Sequence, residues 1–176
     1  MAYTTIDDPT LYFSTTLWTG NGSDDRDIVV AGTGMQPDWV WIKERNSTGY
    51  HFIFDAVRGA TKNLHTNTTA TESTQADALQ AFNSDGFEIG TDGDINANTV
   101  PYVAWNWKAG TAASGNTSGS GTAKTFSSSS NSTAGFSIVR YVGNGTTNHA
   151  IPHGCGTAPK MIIVKTTTKS SQAWPV

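Results

Sequence analysis

Four oxygen-bearing side chains alternate in the segment DGDINAN, residues 92–98. Asp92, Asp94, Asn96 and Asn98 stand two apart, and in an extended loop that period turns them to one side, as a calcium loop requires of its hard oxygen ligands. Read as an EF-hand loop from Asp92, the segment has Ala97 where the sharp turn needs glycine and Val103 where a bidentate glutamate closes the shell. Polar turns between strands use the same residue types for backbone reasons. The expectation is therefore a turn with no metal, these four being the candidate ligands if Ca2+ is held; no other cofactor is expected.

Other chemistry is weaker. Glycoside hydrolysis needs two carboxylates facing one another across the scissile bond. The only glutamates are Glu44, Glu72 and Glu88, and most aspartates sit in turn contexts such as GNGSDD and TDGD, so no pair is singled out and no catalytic residue is expected. PHGCG, residues 152–156, offers a histidine, a thiol and two glycines, but a glycine turn leading into a strand accounts for it. The tryptophans Trp39 and Trp41, and Trp105 and Trp107, come as i, i+2 pairs, with Trp18 apart from them. An aromatic face suits a pyranose ring, so Trp18, Trp105 and Trp107 are the candidate glycan-binding residues. Sheet-to-sheet core is the commoner use of such stripes.

The elements that must position these residues are strands. Apolar segments are short, β-branched or aromatic, and bounded by Gly, Asn, Asp or Pro at residues 11–18, 27–31, 39–44, 51–55, 78–82, 87–90 and 100–108. In DWVWIKE, Trp39, Trp41 and Lys43 point one way and Val40, Ile42 and Glu44 the other, so both faces carry apolar groups and the strand belongs inside a sandwich. Asn83-Ser84-Asp85-Gly86 joins residues 78–82 to 87–90 as a hairpin, glycine tolerating positive φ. STQADALQAF, with Ser73 as a cap, is a candidate for one or two helical turns.

The chain also repeats itself. FSTTLWTGNG at residues 13–22 returns as FSIVRYVGNG at 136–145, and QPDWVWIK at 36–43 returns as APKMIIVK at 158–165. Phe136 stands 123 residues after Phe13, and Lys165 stands 122 after Lys43. Two anchors at almost one offset mark two copies of a folding unit. The expected organisation is an N-terminal segment 1–10, a first β-sandwich 11–109, a linker or arm 110–134 rich in Gly, Ser and Thr, and the first half of a second unit at 135–176. In that half, residues 136–142 and 160–165 are expected to match the strands at 13–19 and 38–43. An apolar face at Met161, Ile163 and Trp174 is left wanting a cover, from further chain or from a symmetry mate.

Composition narrows the functional classes. A net charge of -3 and a pI near 5.7 argue against nucleic acid as a partner. No stretch reaches membrane-spanning length, no secretory signal pattern stands at MAYTTIDDPT, and the single cysteine, Cys155, fits folding in a reducing cytoplasm.

YFSTTLWTGNG, QPDWVWIKERN, FDAVRGATKNL, FNSDGFEIG and YVAWNWKAG, followed by GFSIVRYVGNG and HGCGTAPKMIIVK, together resemble a family of repeated modules in tail-fibre-like virion proteins of marine bacteriophages, including those of cyanobacteria. The resemblance implies concanavalin-like or jelly-roll antiparallel β-sandwiches and a structural role without catalysis. It implies a bacteriophage virion protein, the N-terminal part of a tail fibre concerned with attachment to the tail, multimerisation and host adhesion. Its partners would be itself, as a homotrimer, other virion tail proteins and a host surface glycan. Assembly would take place in the host bacterial cytoplasm and the final location would be the virion. The rival expectations are a head decoration or knob protein, a lectin-like glycan-binding module and, last, a glycan hydrolase.

Overall fold

The computed structural model describes residues 6–30, 32 and 34–176. Residues 1–5 of the N-terminal segment lie outside the described residues, as do Ala31, where the second expected strand ends, and Thr33. The first unit contains β1 (Phe13–Thr19), β2 (Arg26–Val29), β3 (Trp39–Glu44), β4 (His51–Asp55), β5 (Gly59–His65), β6 (Ser73–Thr74), β7 (Leu79–Asn83), β8 (Gly86–Ile89), a short helix α1 (Gly93–Asn96) and β9 (Pro101–Trp107). These make an all-β sandwich of two antiparallel sheets, one in the order β1-β9-β3-β4-β5-β6 and the other β2-β8-β7.

The two-faced pattern of β3 explains its central place. Val40 and Ile42 are fully buried between the sheets with Phe52, Phe54, Tyr102 and Ala104, and meet Ile28, Leu79, Phe87 and Ile89 from the second sheet. Trp39 and Trp41 project from the opposite face and are half-buried. Strand β9 closes the sheet by entering between β1 and β3, so that Trp107 lies opposite both Phe13 and Trp39. Fully burying side chains of this size contributes about 1.5–3 kcal/mol each, which outweighs the modest propensity differences along the chain.

The expected hairpin is present: Asn83 pairs with Gly86 and Phe82 with Phe87. Glycine is needed there for closeness rather than for positive φ, because a Cβ on Gly86 would stand 2.1 Å from the Ile28 carbonyl oxygen of β2. The helix expected in STQADALQAF does not form. Its residues become β6, a turn and β7, with Ala78 and Leu79 fully buried in the sandwich. A one-turn helix is too costly to nucleate against a sheet position that buries leucine completely.

The stretch 110–134 is likewise strands rather than a loose linker. β10 (Thr111–Asn116) pairs with β12 (Thr125–Asn131), which pairs with β13 (Phe136–Tyr141), and β11 (Ser118–Gly119) pairs with β14 (His149–Ala150). Ser128, Ser129 and Ser130 are buried. A ladder needs only backbone donors and acceptors, and small polar side chains neither supply nor forbid them.

The two copies diverge in their packing. Residues 136–141 form a strand, β13, but residues 160–165 form none. Val40 and Ile42 are 0% exposed, whereas their repeat equivalents Ile162 and Val164 are 60% and 38% exposed. Phe136 packs on the outer face of the first sheet, its ring 6.2 Å from those of Trp39 and Trp107. Trp174 does not join an uncovered face. Its indole Nε1 donates to the carbonyls of His65 and Thr68, each at 3.2 Å, and the Glu72 amide donates to the Thr167 carbonyl at 3.1 Å.

Candidate functional site

The four alternating oxygen side chains are not brought to one point. Asp92 caps α1, its side chain accepting from the Asp94 amide at 2.8 Å. Once α1 turns, the period of two is lost: Asp94 and Asn98 are exposed while Asn96 points inward and is fully buried. The Asn96 side chain is occupied on both ends. Its Nδ2 donates to the carbonyls of Gly90 at 2.8 Å and Ser23 at 2.9 Å, and its Oδ1 accepts from the Asn21 amide at 3.1 Å and Arg26 Nη1 at 3.0 Å. It ties the β1–β2 loop to the end of β8, which is a structural duty. Among the described residues no group of three His, Cys, Asp or Glu side chains converges as a metal shell would require.

Asp92 also faces His65, Asp77 and Asp94. Burial pushes its carboxyl up from the ordinary value, and burial pushes the His65 imidazole down against the pull of Asp94 and Asp92. His65 stacks on Tyr50 with ring centroids 4.5 Å apart and 9° between planes. Gln75 Nε2 donates to Asp92 Oδ2 at 3.1 Å, so the carboxylate already has protein partners. Glu72 is spent on Arg58, at 3.2 Å, beside the Asp55–Arg58 ion pair. In PHGCG the Cys155 amide donates to His153 Nδ1 at 3.2 Å, and the buried sulfur faces the His153 carbonyl rather than the ring.

The candidate sugar-binding tryptophans separate. Trp18 is 8% exposed and lies in the core, stacked on Tyr102 at 5.5 Å and edge-on to Phe87 at 5.9 Å. The alternation of β1 turns its even-numbered side chains inward, which removes Trp18 from any surface platform. Trp105 and Trp107 lie on the outer face, where Trp105 meets Trp41 at 5.7 Å and Trp107 is covered by Phe13 at 4.8 Å and by Phe136.

That outer face leads into the feature the tryptophans alone did not disclose. A groove of about 710 Å³ runs over it, with Trp39, Ile53 and Leu64 as floor, β13 and Gly143 along one side and residues 163–169 along the other. Internal repetition was the signal that could have located it, because both walls are second-copy segments.

A family model described as a domain of unknown function, DUF7483, matches residues 8–176. The chain belongs to the DUF7483 family. Comparison with curated proteins finds no match, and comparison with solved structures finds none either. The DUF7483 match takes in both copies together, the complete sandwich and the segment docked on its outer face. In DUF7483 terms the groove therefore lies within the family domain.

Proposed function

We propose that the protein is a structural protein of a bacteriophage virion, the N-terminal part of a tail fibre in which sandwich units dock in series and the chain assembles as a homotrimer. The observation that carries this reading is the seating of Phe136 across Trp39 and Trp107. Through Phe136 the second copy's first strand meets the first copy's outer sheet, and much of the intervening stretch is hydrogen-bonded strand rather than free coil. Units so joined transmit force and orientation, which a fibre needs and a tethered binding module does not. The low fraction of charged residues, 14%, and the resemblance of the ordered motifs to tail-fibre-like modules support the same assignment.

Immunogold labelling of phage particles carrying this chain tests the reading. Gold on the tail appendages is the expected result. Gold on the capsid surface would assign the chain to head decoration, and absence from purified particles would overturn the virion role. Sedimentation equilibrium on the purified chain reads the trimer separately.

A further inference from the structure

The groove over the outer sheet face has a charge opposite to that of the chain as a whole, which is net negative at -3. Four cations line it, Arg58, Arg140, Lys165 and Lys169, against one carboxylate, Asp55. That carboxylate is already answered. Arg58 Nε donates to Asp55 Oδ2 at 2.5 Å, the Arg58 amide donates to Oδ1 at 2.8 Å, and Arg58 Nη1 reaches Glu72 at 3.2 Å. Arg58 is thereby spent as well. Among the described residues the only ion pairs are those of Arg58, so Arg140, Lys165 and Lys169 face the groove with no carboxylate in reach. We propose that this groove is a binding site for an acidic saccharide, a run of sugar rings carrying carboxylate or sulfate groups.

The three cations stand on both walls. Arg140 comes from β13, while Lys165 and Lys169 come from the opposite side, where KTTTK, residues 165–169, sets a lysine at each end of three threonines. Arg140 and Lys169 are exposed. Lys165 is half-buried, its Nζ 5.5 Å from the centroid of the Trp174 ring and donating to the Gln172 carbonyl at 2.6 Å. An ammonium has three donors, so two remain for a ligand. Burial pushes the Lys165 ammonium down with no carboxylate to offset it, and an incoming anion supplies the charge that is missing.

Charge selects an anion, and the rest of the lining selects sugar. Trp39 on the floor, with Tyr141 and Trp174 on the walls, provides aromatic surface, and Tyr141 is 40% exposed. The threonines of KTTTK add hydroxyls beside the cations. A sugar ring has apolar C–H faces and a rim of hydroxyls, so it uses both kinds of lining at once. The groove, about 710 Å³, is of ligand size, since such clefts run from roughly 300 to 1,000 Å³. A nucleic acid would need a denser row of cations along its phosphates, and an acidic peptide would meet the cations but bring no rings to the aromatic surface. The inference stands apart from the tail-fibre reading, because binding is read on the purified chain and particle labelling has no bearing on it.

The test is isothermal titration of the full chain with an oligogalacturonate, a sulfated cello-oligosaccharide, the same oligosaccharide unsulfated, and oligoglutamate. Binding of one or both acidic saccharides is expected, the two arms telling carboxylate from sulfate, with the neutral saccharide and the peptide inert. Raising salt from about 0.01 M to about 0.15 M should weaken the binding, as screening of exposed charges requires. Arg140→Gln and Lys169→Gln, both at exposed positions, should each weaken it about two- to fivefold. Lys160→Gln removes the same charge from an exposed position off the groove and should leave the affinity as in the parent chain. No binding of either acidic saccharide would overturn the proposal. So would oligoglutamate binding as tightly as they do, or Lys160→Gln costing as much as Lys169→Gln, because the chain would then attract polyanions without a site.

Discussion

Replacing Asn96 by alanine removes a buried side chain that makes four hydrogen bonds and touches two segments far apart in sequence. The bond to the Gly90 carbonyl is buried, and leaving that oxygen without a donor costs about 1–3 kcal/mol. The bonds to the Asn21 amide, the Ser23 carbonyl and Arg26 Nη1 are part-buried or near solvent, so water replaces some of each, at about 0.5–1 kcal/mol apiece. Arg26 keeps its bond to the Thr19 carbonyl at 2.8 Å, which lowers its share. The expected loss is about 3–4 kcal/mol, read from urea unfolding followed by tryptophan fluorescence. Asn96→Asp should be at least as damaging, since it retains acceptors for Arg26 and the Asn21 amide but turns a carboxylate oxygen toward two carbonyls. Calcium should change neither midpoint. A loss below about 1 kcal/mol for Asn96→Ala would refute the structural role. Stabilisation of the parent chain by calcium that disappears in the variant would restore Asn96 as a ligand, because only a ligand held by the folded state raises its stability.

Two further outcomes follow from the same geometry. Ile42→Ala should cost about 2–5 kcal/mol, whereas Val164→Ala at the repeat-equivalent position should change stability by no more than about 0.5 kcal/mol, both by urea unfolding; equal costs would contradict the different burial of the two copies. Asp38 has its carboxyl pushed up by burial, opposed by a hydrogen bond from the Ala109 amide and by Lys108. Its folded form thus holds the proton more tightly than the unfolded chain, and its contribution declines as pH rises from the ordinary value of 3.8 through the raised one. An amide in its place cannot titrate, so the stability of Asp38→Asn relative to the parent should increase over that interval and then level off; a difference that is constant with pH would refute this.

Much of the first unit is legible in local pattern. The side-chain period of two along DWVWIKE marks a strand inside a sandwich, and Val40 and Trp41 do lie on opposite faces. The Asp-Gly hairpin pairs as its turn chemistry requires, although the glycine serves the approach of β2. The alternation DGDINAN is as clear in the sequence, yet α1 breaks it and turns Asn96 inward. A period of two has one meaning in an extended chain and another in a helical turn, and four residues do not declare which will win.

By itself, then, the amino-acid sequence marked most strands of the first unit, the two-faced character of β3 and an internal repeat, because side-chain alternation and turn residues act over a few bonds. Tertiary structure decided the rest. The insertion of β9 between β1 and β3 joins segments far apart in the chain, Ser14 and Asn106 being 92 residues apart, and has no local sign. Trp18 is core and Trp107 outer face because the direction of the second sheet, not the residue type, settles which side of a strand is inside. The Gly, Ser and Thr stretch becomes strand because ladder bonds come from the backbone and need only a partner in reach. Ile162 and Val164 repeat Val40 and Ile42 in type and place, but burial is a property of the neighbours, and only the first copy has them in position.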